Sequence, residues 1–268
     1  VYASRSESVV MSPRYAICFV AAIGLLVVIA LFLWRRAIDL EIQEKLSQLT
    51  DTYGVVIHYR YEQRSFFPDR LKSANASQEA LWRIKRLIPV FEEFFSAYPV
   101  TLIRQNLSAL YVAKDIRFSG KIYGGTYLNA AIYINTNARD SFVLGTLHSE
   151  LSSILMHKYS FPSSNWTAVN IPGWSYSGTG FEMLGEKDLD SDHEERLRHG
   201  FLKRYAQSSL ENDFNEFVAL AFTSPRVLCE LVSKYERIRK KNLLVVEFYK
   251  SIDPRIDIPT CDASGSIG

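Results

Sequence analysis

The period of apolar positions changes several times along this chain, and each change marks an element. From Tyr15 to Trp34 there is no polar face at all: the run YAICFVAAIGLLVVIALFLW carries no charge. At 1.5 Å per helical residue, about 20 residues cross a hydrocarbon core ~30 Å thick. Arg14 precedes the run, and Trp34, Arg35 and Arg36 close it, with an aromatic and basic residues where interfacial anchors belong. The run is longer than the roughly 7–15 residues of a signal-peptide core, and LWRRAID is a poor small-residue cleavage site. The expectation is an uncleaved anchor over 15–34, behind a short tail over 1–14.

Beyond the anchor the pattern becomes amphipathic. Ile38, Leu40, Ile42, Leu46 and Leu49 recur among charges and predict a juxtamembrane helix over 35–53, ending near Gly54. GVVIHYRYE alternates and is β-branched, as a strand is. SQEALWRIKRLIPVFEEFFSAYP has a helical period, with Ser77 as its cap, Glu79 in its first turn and a break or kink at Pro89. LSALYVAKDIRF and AAIYINTNA read as strands, joined by the glycine-bearing turn or hairpin SGKIYGGTYLNA. RDSFVLGTLHSELSSILMHKY is a long helix. A loop rich in Pro, Gly, Ser and aromatics follows it, and then the charged stretch EKDLDSDHEERLRHG, read as a loop or exposed helix. LENDFNEFVALAFTSP is a helix bounded by Pro225, and the segment from Arg226 to Ile252 holds one or two more. Strands followed by helices without βαβα alternation predict an α+β domain over 54–262.

Composition narrows the function. The 268 residues are 47% hydrophobic, enough for one sizeable core, and a net charge of +2 leaves no nucleic-acid footprint. Of 3 cysteines, Cys18 lies in the apolar run; Cys229 and Cys261 either pair in an oxidising compartment or stay free. No CxxC supports a cysteine zinc site.

One segment carries chemistry. LHSELSSIL, Leu147 to Leu155, spells a zinc-peptidase helix without its ligands. In His-Glu-x-x-His the two histidines lie one turn apart and bind zinc, and the Glu is the general base. Here Glu150 stands where the Glu belongs, flanked by Ser149 and Ser153, whose neutral hydroxyls lack imidazole's affinity for zinc. His148 lies one residue early, about 100° round the helix, and His157 is on the side opposite His148. HEERLRH has four residues after its Glu before His199, where two are needed. A serine nucleophile lacks the G-x-S-x-G elbow, and no phosphate loop exists.

A second segment gives this helix a context. EFVALAF, from Glu216, resembles the third-ligand helix of the gluzincin metallopeptidases, anthrax lethal factor among them. The surrounding GFLKRYAQSSLENDFNEF is similar to zinc-binding metallopeptidases anchored in bacterial envelopes. In those, LHSELSSIL would take the place of the ligand helix, after an edge strand like AAIYINTNA. The resemblance implies a zincin-like fold, with Glu150 as general base and Glu216 as metal-binding carboxylate, Asp213 being the alternative. It also implies Tyr205 as the phenol stabilising the oxyanion, and an extracytoplasmic domain that takes peptide or protein in its cleft. Ser149 and Ser153 depart from the pattern and put zinc itself in question. Three readings follow: a pseudoenzyme binding peptides or partners, a metalloenzyme centred on His148 and Glu216, and a structural envelope protein without a working cleft.

Overall fold

The computed structural model describes residues 13–60, 66–68, 74–178, 180, 192–262 and 265–267, with side chains from residue 23 onward. A single helix, α1 (Pro13–Tyr53), joins the apolar run to the domain without a break. Its C-terminal half turns Ile42, Leu46 and Leu49 into the core, all 9% exposed or less. Spacings of four and three residues place them on one helical face. Leu40, expected on that face, is 52% exposed and points outward. Gly54 ends the helix in the left-handed region at φ 72°, which glycine tolerates without a Cβ clash. Side chains 15–22 of the expected anchor lie outside the described residues. Among the described residues no helix is long and apolar enough to cross a membrane.

Two sheets follow. The larger holds β1 (Val56–His58), β3 (Ala109–Ala113), β7 (Ala131–Asn135) and β6 (Gly125–Leu128), in the order β1-β3-β7-β6. The first three strands are parallel and β6 is antiparallel to β7. The smaller antiparallel sheet runs β2 (Ala74–Ser77), β4 (Asp115–Phe118), β5 (Lys121–Tyr123). The predicted hairpin segment therefore supplies two strands, β5 and β6, one to each sheet. The edge next to the ligand-helix segment is β6 and not AAIYINTNA, which forms β7 inside the sheet. β7 could not be an edge: Ile132 and Ile134 are fully buried and Tyr133 nearly so, and such a strand is covered on both faces.

Four helices follow in this part of the chain, α2 (Leu81–Ser96), α3 (Val100–Asn106), α4 (Asp140–Lys158) and α5 (Ser163–Ala168), and α4 packs on β6 and β7 of the larger sheet. After α6 (His193–Arg198) and a 3-10 turn at Tyr205–Gln207 come α7 (Leu210–Thr223), α8 (Pro225–Lys234) and α9 (Glu236–Ile252). The mixed α and β content is the expected α+β class.

Two local expectations are corrected. Ser77 does not cap α2; it closes β2, pairing with Asp115, and the helix begins at Leu81, after Ala80. Glu79 instead accepts from the Ala80 N–H at 2.7 Å and the Thr136 hydroxyl at 2.6 Å. Nor does Pro89 end α2, which runs through it. Ile84, Leu87, Ile88, Phe91, Phe94 and Phe95 are all buried around it, and this burial outweighs one missing backbone bond.

Cys229 and Cys261 are joined in a disulfide, with Cα atoms 5.1 Å apart. It ties the C-terminal segment to α8, within the range a disulfide can span.

Candidate functional site

α4 and α7 pack face to face, and the chemistry-bearing residues lie on or beside their shared surface. The start of α4 is set by Arg83 of α2. This buried guanidinium pairs with Asp140 and donates to the carbonyls of Thr136 and Ala138, the latter at 2.7 Å. Hydrogen bonding from Arg83 lowers the Asp140 pKa, so this ion pair holds across the neutral range.

Small residues let the two helices approach. A Cβ on Gly145 would sit 3.5 Å from the Ala219 Cβ of α7. One turn further, the serines at the two ligand positions are engaged by Asn215. Its side-chain amide donates to Ser153 Oγ at 2.8 Å, and Ser149 Oγ donates to the Asn215 carbonyl at 3.3 Å. Ser152 donates to the Asn215 side-chain oxygen, and its oxygen lies 2.8 Å from the Ser149 carbonyl. Ser152 and Ser153 are fully buried. The space between the ligand positions and α7 is thus closed by a hydrogen-bonded seam. Asn215 carries no motif, and its only sequence signal is its place one turn after Glu211.

Glu216 lies beside this seam but turns to Lys203, whose ammonium is 2.6 Å from its carboxylate. His148 does not approach it. The ring is 1% exposed, stacks on Phe222 at 4.1 Å with planes 5° apart, and meets Phe94 edge-on. Its Nδ1 lies 2.7 Å from the Tyr98 hydroxyl. Burial drives its pKa down to about 3, so the ring is neutral. This is a packed core position, and the pairing of His148 with Glu216 is corrected on that ground. Asp213 is also elsewhere: it is fully buried on the far face of α7. There it accepts from Lys241 Nζ at 2.6 Å, Tyr176 Oη at 2.8 Å and Trp166 Nε1 at 2.9 Å.

Glu150 faces the edge strand. A Cβ at Gly125 of β6 would lie 3.1 Å from Glu150 Oε1 and 2.7 Å from Thr146 Cγ2, so only glycine lets strand and helix come this close. Burial raises the Glu150 pKa to about 8, with a further push from the Glu211 carboxylate. At neutral pH Glu150 is therefore mostly protonated, unlike a general base. Tyr205 closes the group. Its pKa is raised to about 12, first by burial and then by the charges of Glu150 and Glu216, so both carboxylates lie near this phenol. Tyr127 of β6 is raised as well, by burial and by Glu211.

His157 is exposed at the same end, with Nε2 3.4 Å from Glu211 Oε2 and its ring beside Tyr127. It does lie opposite His148. Because His148 faces the core, however, the opposite side is the cleft. His58 stacks on Tyr111, while His193 and His199 sit at the two ends of α6, next to Arg196 and Glu195.

The donor set can be tested against zinc directly. Tetrahedral zinc takes imidazole, thiolate or carboxylate at ~2 Å. Here two ligand positions hold serine hydroxyls already bonded to Asn215, and the third carboxylate is held by a lysine. Among the described residues no three His, Cys, Asp or Glu side chains come together to hold a metal ion. The residues present do not fit the ion.

The fold nonetheless defines a class. A ligand-type helix, an antiparallel edge strand against it and a facing helix that carries Glu216 form the framework of a zinc peptidase. A family model described as "Putative zinc-binding metallo-peptidase" matches residues 121–258, and the chain belongs to that family. A crystal structure of a protein titled a "putative zinc-binding metallo-peptidase", from Bacteroides caccae, is similar in fold. It shares 14% identity at a TM-score of 0.51, over 82% of this chain and 87% of that one. No curated protein matches the chain.

Proposed function

We propose that this chain is a membrane-anchored, non-hydrolytic member of its family, which holds an extended peptide or protein segment in the cleft along β6. The observation that carries the reading is the seam of Ser149, Ser152 and Ser153 with Asn215, which fills the place of a metal centre with side-chain hydrogen bonds. Without a bound metal no water reaches a pKa near 7, and a largely protonated Glu150 is a poor base to activate one. The means of binding an extended chain remain. β6 is a sheet edge, and the tyrosines at 127 and 205 with the carboxyl groups at 150 and 211 flank it. Strand addition to such an edge supplies main-chain hydrogen bonds independent of sequence.

The membrane half of the reading rests on α1. Its described apolar residues from Leu25 to Trp34 are exposed on all sides, with Leu26, Phe32 and Trp34 each above 60%. An unbroken helix exposing only apolar groups is suited to lipid. The disulfide favours a domain outside the cytoplasm, where such bonds persist.

Metal analysis of the purified full chain, with a peptide-library hydrolysis assay, tests the site. Zinc well below one equivalent and peptide capture without cleavage are expected. Stoichiometric zinc, with cleavage abolished by Glu150→Gln, would overturn the reading. Orientation is read by membrane-impermeant labelling of single cysteines introduced between residues 160 and 178 in intact cells, and labelling only after lysis would place the domain inside.

A further inference from the structure

A second concave site lies away from the peptidase cleft, at the end of the domain where α1 leaves it. A cleft of about 780 Å³ is lined by Arg35, Arg60, Lys114, Glu79, Trp82 and the start of α2. Arg35 directly follows the apolar run, so this cleft opens at the level where α1 emerges from it. We infer that the cleft binds the phosphate headgroup of an anionic phospholipid from the membrane in which α1 is anchored, and so fixes the tilt of the domain on that surface. The inference rests on the anchoring of α1 proposed above.

Four features carry it. The first is charge. Arg35 and Lys114 are exposed and have no acidic partner among the described residues, while Arg60 is half exposed and its guanidinium lies 2.5 Å from Asp39. The second is the placing of the opposing carboxylates. Asp39 and Glu79 are buried, and Glu79, though it lines the cleft, is taken by the Ala80 N–H and the Thr136 hydroxyl, so three cations stand at the cleft against one engaged acid. The third is Trp82, 63% exposed on the cleft wall, an indole of the kind that settles at the headgroup level. The fourth is the first turn of α2, which no side chain caps. The helix N-terminus lies on the wall of the same cleft and adds partial positive charge to it.

The rigidity of α1 gives the cleft its meaning. Asp39, Ile42, Leu46 and Leu49 are buried in the domain, so the helix that enters the bilayer cannot swivel freely against the fold. A basic cleft beside the exit point then meets the headgroup layer in one fixed orientation. Cations near an anionic surface each add attraction that decays within a Debye length.

The test uses the full chain in neutral detergent. Native mass spectrometry counts retained phosphatidylglycerol and phosphatidylcholine, with inorganic phosphate as competitor, for the wild type and for Arg35→Gln with Lys114→Gln. These two side chains are exposed, and the Asp39–Arg60 pair is left intact, so folding is preserved. The wild type is expected to retain phosphatidylglycerol at least tenfold over phosphatidylcholine, and the double variant to lose the preference. Trp82→Ala is expected to weaken it severalfold. Equal retention of both lipids, unchanged retention in the variant, or binding of inorganic phosphate without retention of lipid would each overturn the inference. Flotation of the chain with vesicles separates the two claims. A chain that does not float removes the anchor and this inference together; a floating chain with an unchanged lipid count removes this inference alone.

Discussion

Two acids on the facing helices, one fully buried and one partly so, have opposite surroundings. Asp213, on the core side of α7, is met by the Lys241 ammonium, a phenol and an indole, and Lys241 in turn donates to the Gly200 carbonyl at 3.0 Å and lies 4.0 Å over the Phe201 ring. Burial raises the Asp213 pKa, and the Lys241 ammonium and the Tyr176 and Trp166 donors oppose the rise. Glu150, on the cleft side of α4, has a second carboxylate as its electrostatic neighbour and is pushed up to about 8. A carboxylate surrounded by donors and a cation holds helices together. One set beside its own kind, in a cleft, is kept at a cost in stability, and such costs concentrate at functional sites. Neither hydrophobicity nor spacing distinguishes the two acids, and the contrast rests on their partners.

The comparison predicts a ranking of stability effects. Asp213→Ala should be the most damaging, since it strands a fully buried ammonium; a loss of about 3–5 kcal/mol is expected in urea denaturation. Replacing Lys241 as well, by Met, should recover much of that loss. A loss under ~1 kcal/mol for the single variant would contradict the structural role. Asn215→Leu should come next, at about 2 kcal/mol, because it takes the Asn215 side chain from the buried Ser153 hydroxyl and leaves Ser152 only the Ser149 carbonyl. Adding Ser152→Ala and Ser153→Ala to it should restore stability, and if it does not, the seam is not what joins α4 to α7.

Glu150→Gln should have the opposite sign. The folded pKa of about 8 lies above the unfolded value of 4.5, so the folded protein holds a proton that the unfolded chain releases as pH rises through that window. The wild type therefore loses stability between about pH 4.5 and 8, and the full cost is present above 8. Partial exposure moderates the cost. Gln should stabilise by about 1–2 kcal/mol at pH 9 and have little effect at pH 4. Stability curves of the two proteins that stay parallel over this range would show Glu150 to be an ordinary carboxylate. Smallest of all, Lys203→Ala should change stability by no more than about 0.5 kcal/mol, because the lysine is 54% exposed and surface pairs contribute little. A loss above ~1.5 kcal/mol would make the Glu216–Lys203 pair structural in the manner of Asp213–Lys241.

The candidate site was legible in part, and the reason is periodicity. LHSELSSIL marks α4 as the ligand-type helix because residues one turn apart share a face whatever surrounds them. EFVALAF locates α7 for the same reason, and the two helices do meet. The direction each face takes is not a local property. Asp213 and Glu216, three residues apart on one helix, were alternatives for a single role, yet one is buried against Lys241 and the other pairs with Lys203 at the cleft. His148 looked available because it adjoins Ser149, but it lies beneath Phe222, Phe94 and Tyr98, which come from two other helices and the segment after α2. Glu211 and Asn215 belong to no motif, and each gains its place only from the partner across the interface; His157 was placed opposite His148, but only the fold shows that this side is the cleft.

Local sequence by itself determined the long helical segments, the apolar run, the α+β class and the absence of imidazole at positions 149 and 153, but not the short helices α3 and α5, the latter in a stretch that reads as loop. These follow from residue identity and from spacing along one chain, where neighbours are set by covalent geometry. Tertiary structure alone decided that β6 and not β7 is the edge, that α2 continues through Pro89, and that Cys229 meets Cys261. It alone also decided that Asn215 closes the space between the serines and that Glu150 lies near a second carboxylate. Each of these depends on which segment distant in sequence comes to lie within a few ångströms, and burial and charge act only at that range.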